Sequence, residues 1–172
     1  QGIPRRALLP RGLGHADRAG HVASDPQLSW RKGAGPAEIL LNVLNGDHRR
    51  VSDRIQTYAL FTDPPLGRCG MTDAEVRKSG RAALVTKLPM SGVSRAVEKG
   101  ETQGFIKISV DAETKYIMGA AILGIGGDEI IHVLLDVMYA KAAYTVVQRA
   151  MHIHPTVAEY LPTVLSKLEP FA

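Results

Sequence analysis

Gly104-Phe105-Ile106-Lys107-Ile108-Ser109-Val110 is followed by Asp111-Ala112-Glu113-Thr114-Lys115 and then by Tyr116-Ile117-Met118-Gly119-Ala120-Ala121-Ile122-Leu123-Gly124. The first segment alternates apolar and polar residues, the period of a half-buried strand. The polar residues after it suit a hairpin connection, and the third segment returns as a second strand. Gly119-Ala120-Ala121 carries little side-chain bulk, which predicts close packing against another element. Gly126-Gly127-Asp128 then interrupts the chain, and Asp128 is the expected N-cap of a helix over about 129–141. Ile130, Ile131, Val133, Leu134, Leu135, Val137 and Met138 make that helix apolar on most sides. Such a helix is covered from two directions, here by the sheet and by a second layer or a second subunit. His132 lies within it and is expected to be a packed core histidine.

Towards the N-terminus, Thr57-Tyr58-Ala59-Leu60-Phe61 reads as a strand, and the two prolines of Asp63-Pro64-Pro65-Leu66-Gly67 make a turn. Cys69-Gly70-Met71 is a short extended piece. Thr72-Asp73-Ala74-Glu75 is a capping box opening a helix to about Ser79, with Gly80 as its stop. Ala82 to Leu88 reads as a strand ended by Pro89, and Ser91 to Gly100 as a loop with at most a helical turn. Ile39, Leu40, Val43 and Leu44 recur at helical spacing ahead of Asn45-Gly46, predicting a short amphipathic helix over about 37–45. Towards the C-terminus, Thr145 to Ala150 makes a helical turn or two. A last helix over about 157–168 carries Leu161, Val164, Leu165 and Leu168 on one face. The order of elements predicts an α+β fold, an antiparallel β-sheet with helices packed on one face.

Residues 1–36 differ in kind. Ten of them are Gly or Pro, and neither the strand nor the helix period persists. They are expected to form an irregular or disordered tail, followed by a helix and linker at 37–56 and the domain proper at 57–172. The net charge of +4 belongs to the same end: residues 1–50 hold eight Arg or Lys against four Asp or Glu, and the remainder is balanced. The arginines are scattered and only Trp30 offers an aromatic partner, so nucleic acid is not an expected ligand. The longest apolar run, Ile130 to Tyr139, is interrupted by His132 and Asp136, so no membrane association is expected. A single cysteine, Cys69, excludes an internal disulfide and fits a reducing, cytoplasmic setting.

The residue types that carry chemistry converge on Met151-His152-Ile153-His154-Pro155-Thr156-Val157-Ala158-Glu159. Imidazole titrates near neutral pH and a carboxylate can orient it. Thr156 and Glu159 also have capping-box spacing, so Glu159 is either a helix cap or a partner for His154. Pro155 restricts the backbone of His154, which favours the second arrangement without excluding the first. His152, His154 and Glu159 form a plausible zinc set, but they lack the i, i+4 helical spacing of specific motifs, and no metal is expected. No nucleophile accompanies the pair. Cys69 has no cysteine partner and reads as a strand filler, with Arg68 beside it as the one feature that lowers a thiol pKa. Gly124-x-Gly126-Gly127 lacks the full spacing of a dinucleotide loop.

The combination of motifs resembles a known family. Phe61-Thr62-Asp63-Pro64-Pro65-Leu66-Gly67-Arg68-Cys69-Gly70-Met71-Thr72-Asp73-Ala74-Glu75, Gly104-Phe105-Ile106-Lys107, Gly119 to Gly124 and His154-Pro155-Thr156-x-x-Glu159 are similar, in that order, to the C-terminal dimerisation domain of the FAD-dependent pyridine nucleotide–disulfide oxidoreductases. The resemblance covers about residues 38–168. Within the family, Pro64 to Arg68 and Met151 to His154 look most like mercuric reductase-like or reactive-chlorine-response enzymes, although the C-terminal cysteine pair of true mercuric reductases is missing.

The resemblance implies that His154 and Glu159 are catalytic, an acid–base pair offered across a dimer to the partner subunit's redox-active thiols. It also implies that the backbone of His154 and Pro155 borders the partner's FAD. The intact family uses FAD and NAD(P)H. This sequence has no Gly-x-Gly-x-x-Gly and no Cys-x-x-x-x-Cys, so the chain alone is expected to bind neither cofactor and to be inactive. Its expected partner is a second copy or a full-length flavoprotein subunit. Residues 1–36 do not match the family and read as a truncated or frame-shifted start. The alternative function is a stand-alone α+β homodimerising module without catalytic activity.

Overall fold

The computed structural model of the protein describes residues 40, 43–46, 48 and 50–171. The expected tail at 1–36 lies outside the described residues. So does much of the helix expected at 37–45, of which Leu40, Val43 and Leu44 are helical and exposed.

After a 3-10 turn at Val51–Asp53 the elements run in order. They are β1 (Thr57–Leu60), β2 (Leu66–Gly70), α1 (Asp73–Lys78), β3 (Ala83–Pro89), α2 (Ser94–Lys99), β4 (Phe105–Asp111), β5 (Ile117–Leu123), α3 (Gly127–Tyr139), α4 (Thr145–Gln148), α5 (Tyr160–Leu165) and β6 (Glu169–Pro170). The strands form one six-stranded antiparallel sheet in the order β1-β2-β5-β4-β3-β6. This is the expected α+β architecture. Among the described residues no helix is long and apolar enough to cross a membrane.

The hairpin at the centre forms as its alternation dictates. Ile106 lies opposite Ile122 and Ile108 opposite Ala120, and all four are buried beneath α3 and α5. Lys107 and Ala121 point to the other face, where α1 closes over the sheet through ion pairs of Asp73 with Lys107 and of Glu75 with Arg68. The turn is built by Asp111, whose Oδ1 accepts the backbone N–H groups of Glu113 at 2.9 Å and Thr114 at 2.7 Å. Its other oxygen pairs with Arg81.

Those bonds, the Thr114 N–H foremost, hold the Asp111 carboxyl below its ordinary range. Replacing Asp111 with alanine leaves two backbone donors and a guanidinium without their acceptor, and about 2 kcal/mol of stability is expected to be lost. A carboxyl depressed in the folded state stabilises fully above its unfolded value of about 3.9, and that contribution disappears as pH falls through the folded value. Urea denaturation of parent and Asp111→Ala should therefore differ by a constant amount near neutrality and converge below about pH 4.

The capping box at α1 is present in both directions: Thr72 Oγ1 accepts the Glu75 N–H at 3.2 Å and Glu75 Oε2 accepts the Thr72 N–H at 2.7 Å. Three other boundaries differ from the sequence reading. Pro89 is the last residue of β3, paired with Phe105, rather than a residue beyond it. Residues 94–99 form a full short helix, because Val93 and Ala96 have a core to enter. The N-cap of α3 is Gly126, at φ +66°, rather than Asp128, which lies in the first turn.

Close approach explains the last difference. A side chain at Gly127 would stand 2.4 Å from the Ile122 carbonyl oxygen, and one at Gly67 would stand 2.1 Å from the Gly127 carbonyl oxygen. The start of α3 is thus pressed onto the sheet where only glycine fits. Asp128 keeps a charge role at the positive end of the helix.

The burial of α3 is also one-sided. Ile131, Leu134 and Leu135 are buried against the sheet, whereas Ile130, Val133, Val137 and Met138 are half-covered. His132 is exposed, together with Asp136 and Tyr139. Positions 132, 136 and 139 are one helical stripe turned away from 131, 134 and 135. This corrects the expectation of a packed core histidine.

Candidate functional site

The loop between α4 and α5 carries the site. Its far end is anchored by apolar burial: Val157, Leu161, Val164 and Leu165 all enter the core. Two polar ties fix it laterally. Gln148 Nε2 donates to the Leu165 carbonyl at 3.2 Å, and the Tyr160 hydroxyl is hydrogen-bonded to Ser94 Oγ. Helix α5 begins three residues later than its apolar pattern predicts, because residues 157–159 form a turn rather than its first helical residues. It ends earlier because the chain must reach β6, where Glu169 pairs with Val85.

On this base the structure brings His154 and Glu159 together. Thr156 Oγ1 donates to the Ile153 carbonyl at 2.7 Å and accepts the Glu159 N–H at 3.3 Å. The threonine half of the capping box therefore exists, and the carboxylate half is turned elsewhere. Both Glu159 oxygens lie on His154 Nδ1, at 3.1 Å and 2.9 Å. An ionised carboxylate only accepts, so Nδ1 carries the hydrogen of this contact, and in the neutral ring Nε2 is then the acceptor. Glu159 is 16% exposed and His154 is 75% exposed. The ring is thus held at Nδ1 by a largely buried carboxylate and is otherwise mostly exposed. Pro155 is exposed beside it, and the His154–Pro155 peptide bond is cis.

His152 is not part of this arrangement. It is half-buried, and its Nδ1 is enclosed without a hydrogen-bond partner. Among the described residues no three His, Cys, Asp or Glu side chains form a group able to hold a metal ion. Cys69 is buried, and burial pushes its thiol up to about 12, against smaller opposing effects of the Ala120 backbone N–H and Arg68. It is a neutral thiol at physiological pH, not a nucleophile. The glycines at 124–127 serve packing and turning: the Gly124 N–H donates to the Pro65 carbonyl and the Gly127 N–H to Gly124, each at 2.9 Å.

Sequence reasoning passed over the loop's apolar rim. Met151 is 100% exposed and Ile153 is 80% exposed, on either side of His152. Large apolar side chains set out into water around a polar group are a signal that another surface covers them. It also passed over Ser94 and Tyr160, whose contact spans 66 positions and leaves no local trace.

A family model described as the pyridine nucleotide-disulphide oxidoreductase dimerisation domain matches residues 57–165. Among curated proteins, the chain is 32% identical over 130 residues to a probable pyridine nucleotide-disulfide oxidoreductase, RclA of Escherichia coli, covering 74% of this chain and 30% of that one. It is 34% identical over 145 residues to a dihydrolipoyl dehydrogenase of Haloferax volcanii, covering 84% of this chain and 30% of the other. The solved structure of the HOCl-induced flavoprotein disulfide reductase RclA from E. coli superposes with a TM-score of 0.70 at 32% identity, over 76% of this chain and 30% of that chain. The chain therefore spans about 30% of the length of these relatives.

Proposed function

The chain belongs to the pyridine nucleotide-disulphide oxidoreductase dimerisation-domain family, and on that premise we propose that it completes the active site of a flavin-dependent NAD(P)H oxidoreductase by presenting His154 and Glu159 to the redox-active thiols of a partner subunit. The observation that carries this reading is the Glu159 carboxylate on Nδ1 of a His154 ring that is otherwise largely exposed.

In this role Nε2 accepts the proton of a partner thiol, leaving a thiolate and an imidazolium. The Glu159 carboxylate, 2.9 Å from Nδ1, stabilises the positive charge. The same proton returns to the thiolate that leaves after exchange, so the histidine ends each cycle unchanged. Met151 and Ile153 exclude water from this transfer once a second surface covers them.

FAD, when bound in the assembly, supplies the electron pair for disulfide reduction. Two cavities among the described residues, each about 230 Å³, are lined by neither His154 nor Pro155. The loop stands outward, which suits a border to a flavin held by another subunit. The homodimer of the family is the natural partner, with the half-covered side of α3 as further apolar surface for it. The alternative, a dimerising module without chemistry, is separated by experiment.

Residues 57–165 grafted in place of the matching segment of the E. coli relative keep the required flavin and thiols available. In that chimera Glu159→Gln retains an acceptor for Nδ1 but removes the charge. Turnover is expected to fall about 10- to 100-fold, with the alkaline-to-neutral pH profile displaced and flavin content unchanged. A Glu159→Gln chimera that turns over as fast as the unsubstituted one, with the same pH profile, overturns the orienting role.

A further inference from the structure

We infer that Ser94 and Tyr160 are positioning residues for the His154–Glu159 pair: the hydrogen bond between their hydroxyls fixes the angle at which the Glu159 carboxylate meets the imidazole. The inference deepens the acid–base reading above and rests on it for its effect on turnover. Glu159 stands at the N-cap of α5, where a carboxylate ordinarily accepts one of the free backbone N–H groups. Here it makes no such bond, and both of its oxygens lie on His154 Nδ1. The start of α5 is left with the Thr156 hydroxyl, 3.3 Å from the Glu159 nitrogen, and with three-residue backbone bonds. Those bonds run from the Tyr160 N–H to the Val157 carbonyl and from the Leu161 N–H to the Ala158 carbonyl, each at 3.1 Å.

Apolar burial does not replace the missing cap. Val157 and Leu161 are both buried, and four residues apart they lie along one inward line. Burial is non-directional, so this line sets how deep the turn sits and does little to oppose rocking about it. Rocking swings Glu159, which lies between the two anchors in sequence and outside them in space. Tyr160 stands to the side of the same line. Its ring packs against the core, and its hydroxyl is hydrogen-bonded to Ser94 Oγ on α2. A hydrogen bond is directional, so a ring gripped at both ends resists the rocking.

The anchor itself is fixed. Met90, Val93 and Ala96, around the start of α2, are buried. The Ala96 and Val97 N–H groups both donate to the Val93 carbonyl, at 3.0 Å and 3.1 Å. Ser94 is the first residue of α2 and is exposed, so removing its hydroxyl opens no cavity. The other lateral tie, from Gln148 to the Leu165 carbonyl, holds the far end of α5 and does not reach Glu159.

Nitrogen NMR of the His154 ring in the full chain, at about pH 8.5 where an ordinary imidazole is neutral, reads the ratio of Nδ1–H to Nε2–H forms. The parent is expected to favour Nδ1–H. Ser94→Ala and Tyr160→Phe should each lower the ratio about two- to tenfold, the equilibrium effect of one hydrogen bond, towards that of Glu159→Ala. The double variant should fall no further than the lower of the two single variants. Ser94→Thr keeps the hydroxyl and should hold the parent ratio. In the chimera Tyr160→Phe should lower kcat about 3- to 10-fold at unchanged KM, and should add nothing in the Glu159→Gln background. An unchanged ratio in both single variants, additive losses in the double variant, or a parent without an excess of Nδ1–H overturns the inference. Failure of the acid–base reading is distinct: it appears as full turnover in the His154→Ala chimera and does not move the NMR ratios.

Discussion

Replacing His154 with alanine in a complete reductase that carries this segment is expected to lower turnover by about 10²- to 10⁴-fold, the usual contribution of a positioned acid–base group. Fold stability should scarcely change. The ring is 75% exposed, and its one described polar contact is with Glu159. Truncation therefore opens no cavity, and it leaves the carboxylate near solvent. The effect belongs on kcat for NAD(P)H-dependent disulfide reduction, at unchanged flavin content and unchanged sedimentation as a dimer. Those two controls separate catalysis from assembly. A chimera that loses its dimer along with its activity points to the rim of Met151 and Ile153, and one that keeps both points to the association module.

Gly67→Val is expected to cost about 3 kcal/mol or more. A Cβ at Gly67 would stand 2.1 Å from the Gly127 carbonyl oxygen and 2.9 Å from the Ile131 Cβ. Both neighbours belong to α3, and the first is backbone, so the helix must lift from β2 to make room. Lifting it uncovers Ile131 and Leu134, which together bind the helix to the sheet. Gly80→Ala is the control: its φ is +66° but nothing lies within 4 Å, so only the left-handed backbone is penalised, at about 1 kcal/mol. Urea denaturation of the three proteins measures both. A Gly67→Val loss no larger than that of Gly80→Ala means that α3 does not approach β2 as described.

The parts of the fold legible in the sequence are those made by neighbours along the chain. The 105–123 hairpin follows from alternation and a polar turn, and the Thr72–Glu75 box from a four-residue reciprocity that the structure reproduces in both directions. The errors have a common origin. Asp128 is a good N-cap by composition, yet the helix begins at Gly127 because β2 passes underneath, and that strand lies some 60 residues earlier. His132 sits in an apolar run but on its outward stripe, and periodicity alone does not say which stripe the sheet will take. At 154–159 the sequence leaves both local readings of Glu159 open. Thr156 keeps its half of the cap, and the carboxylate goes to the imidazole.

Most of the elements, the residue types gathered in His154-Pro155-Thr156-x-x-Glu159 and the family to which the order of motifs belongs can be read from the amino-acid string. These rest on short-range hydrogen bonding, backbone restriction and side-chain period, all of which are written within a few residues. Packing alone settles the strand order β1-β2-β5-β4-β3-β6, the face that α3 and α5 cover and the pairing of the exposed His154 ring with Glu159. Each of these depends on which distant apolar surfaces are buried against one another, and burial is a property of the packed whole that no local period encodes.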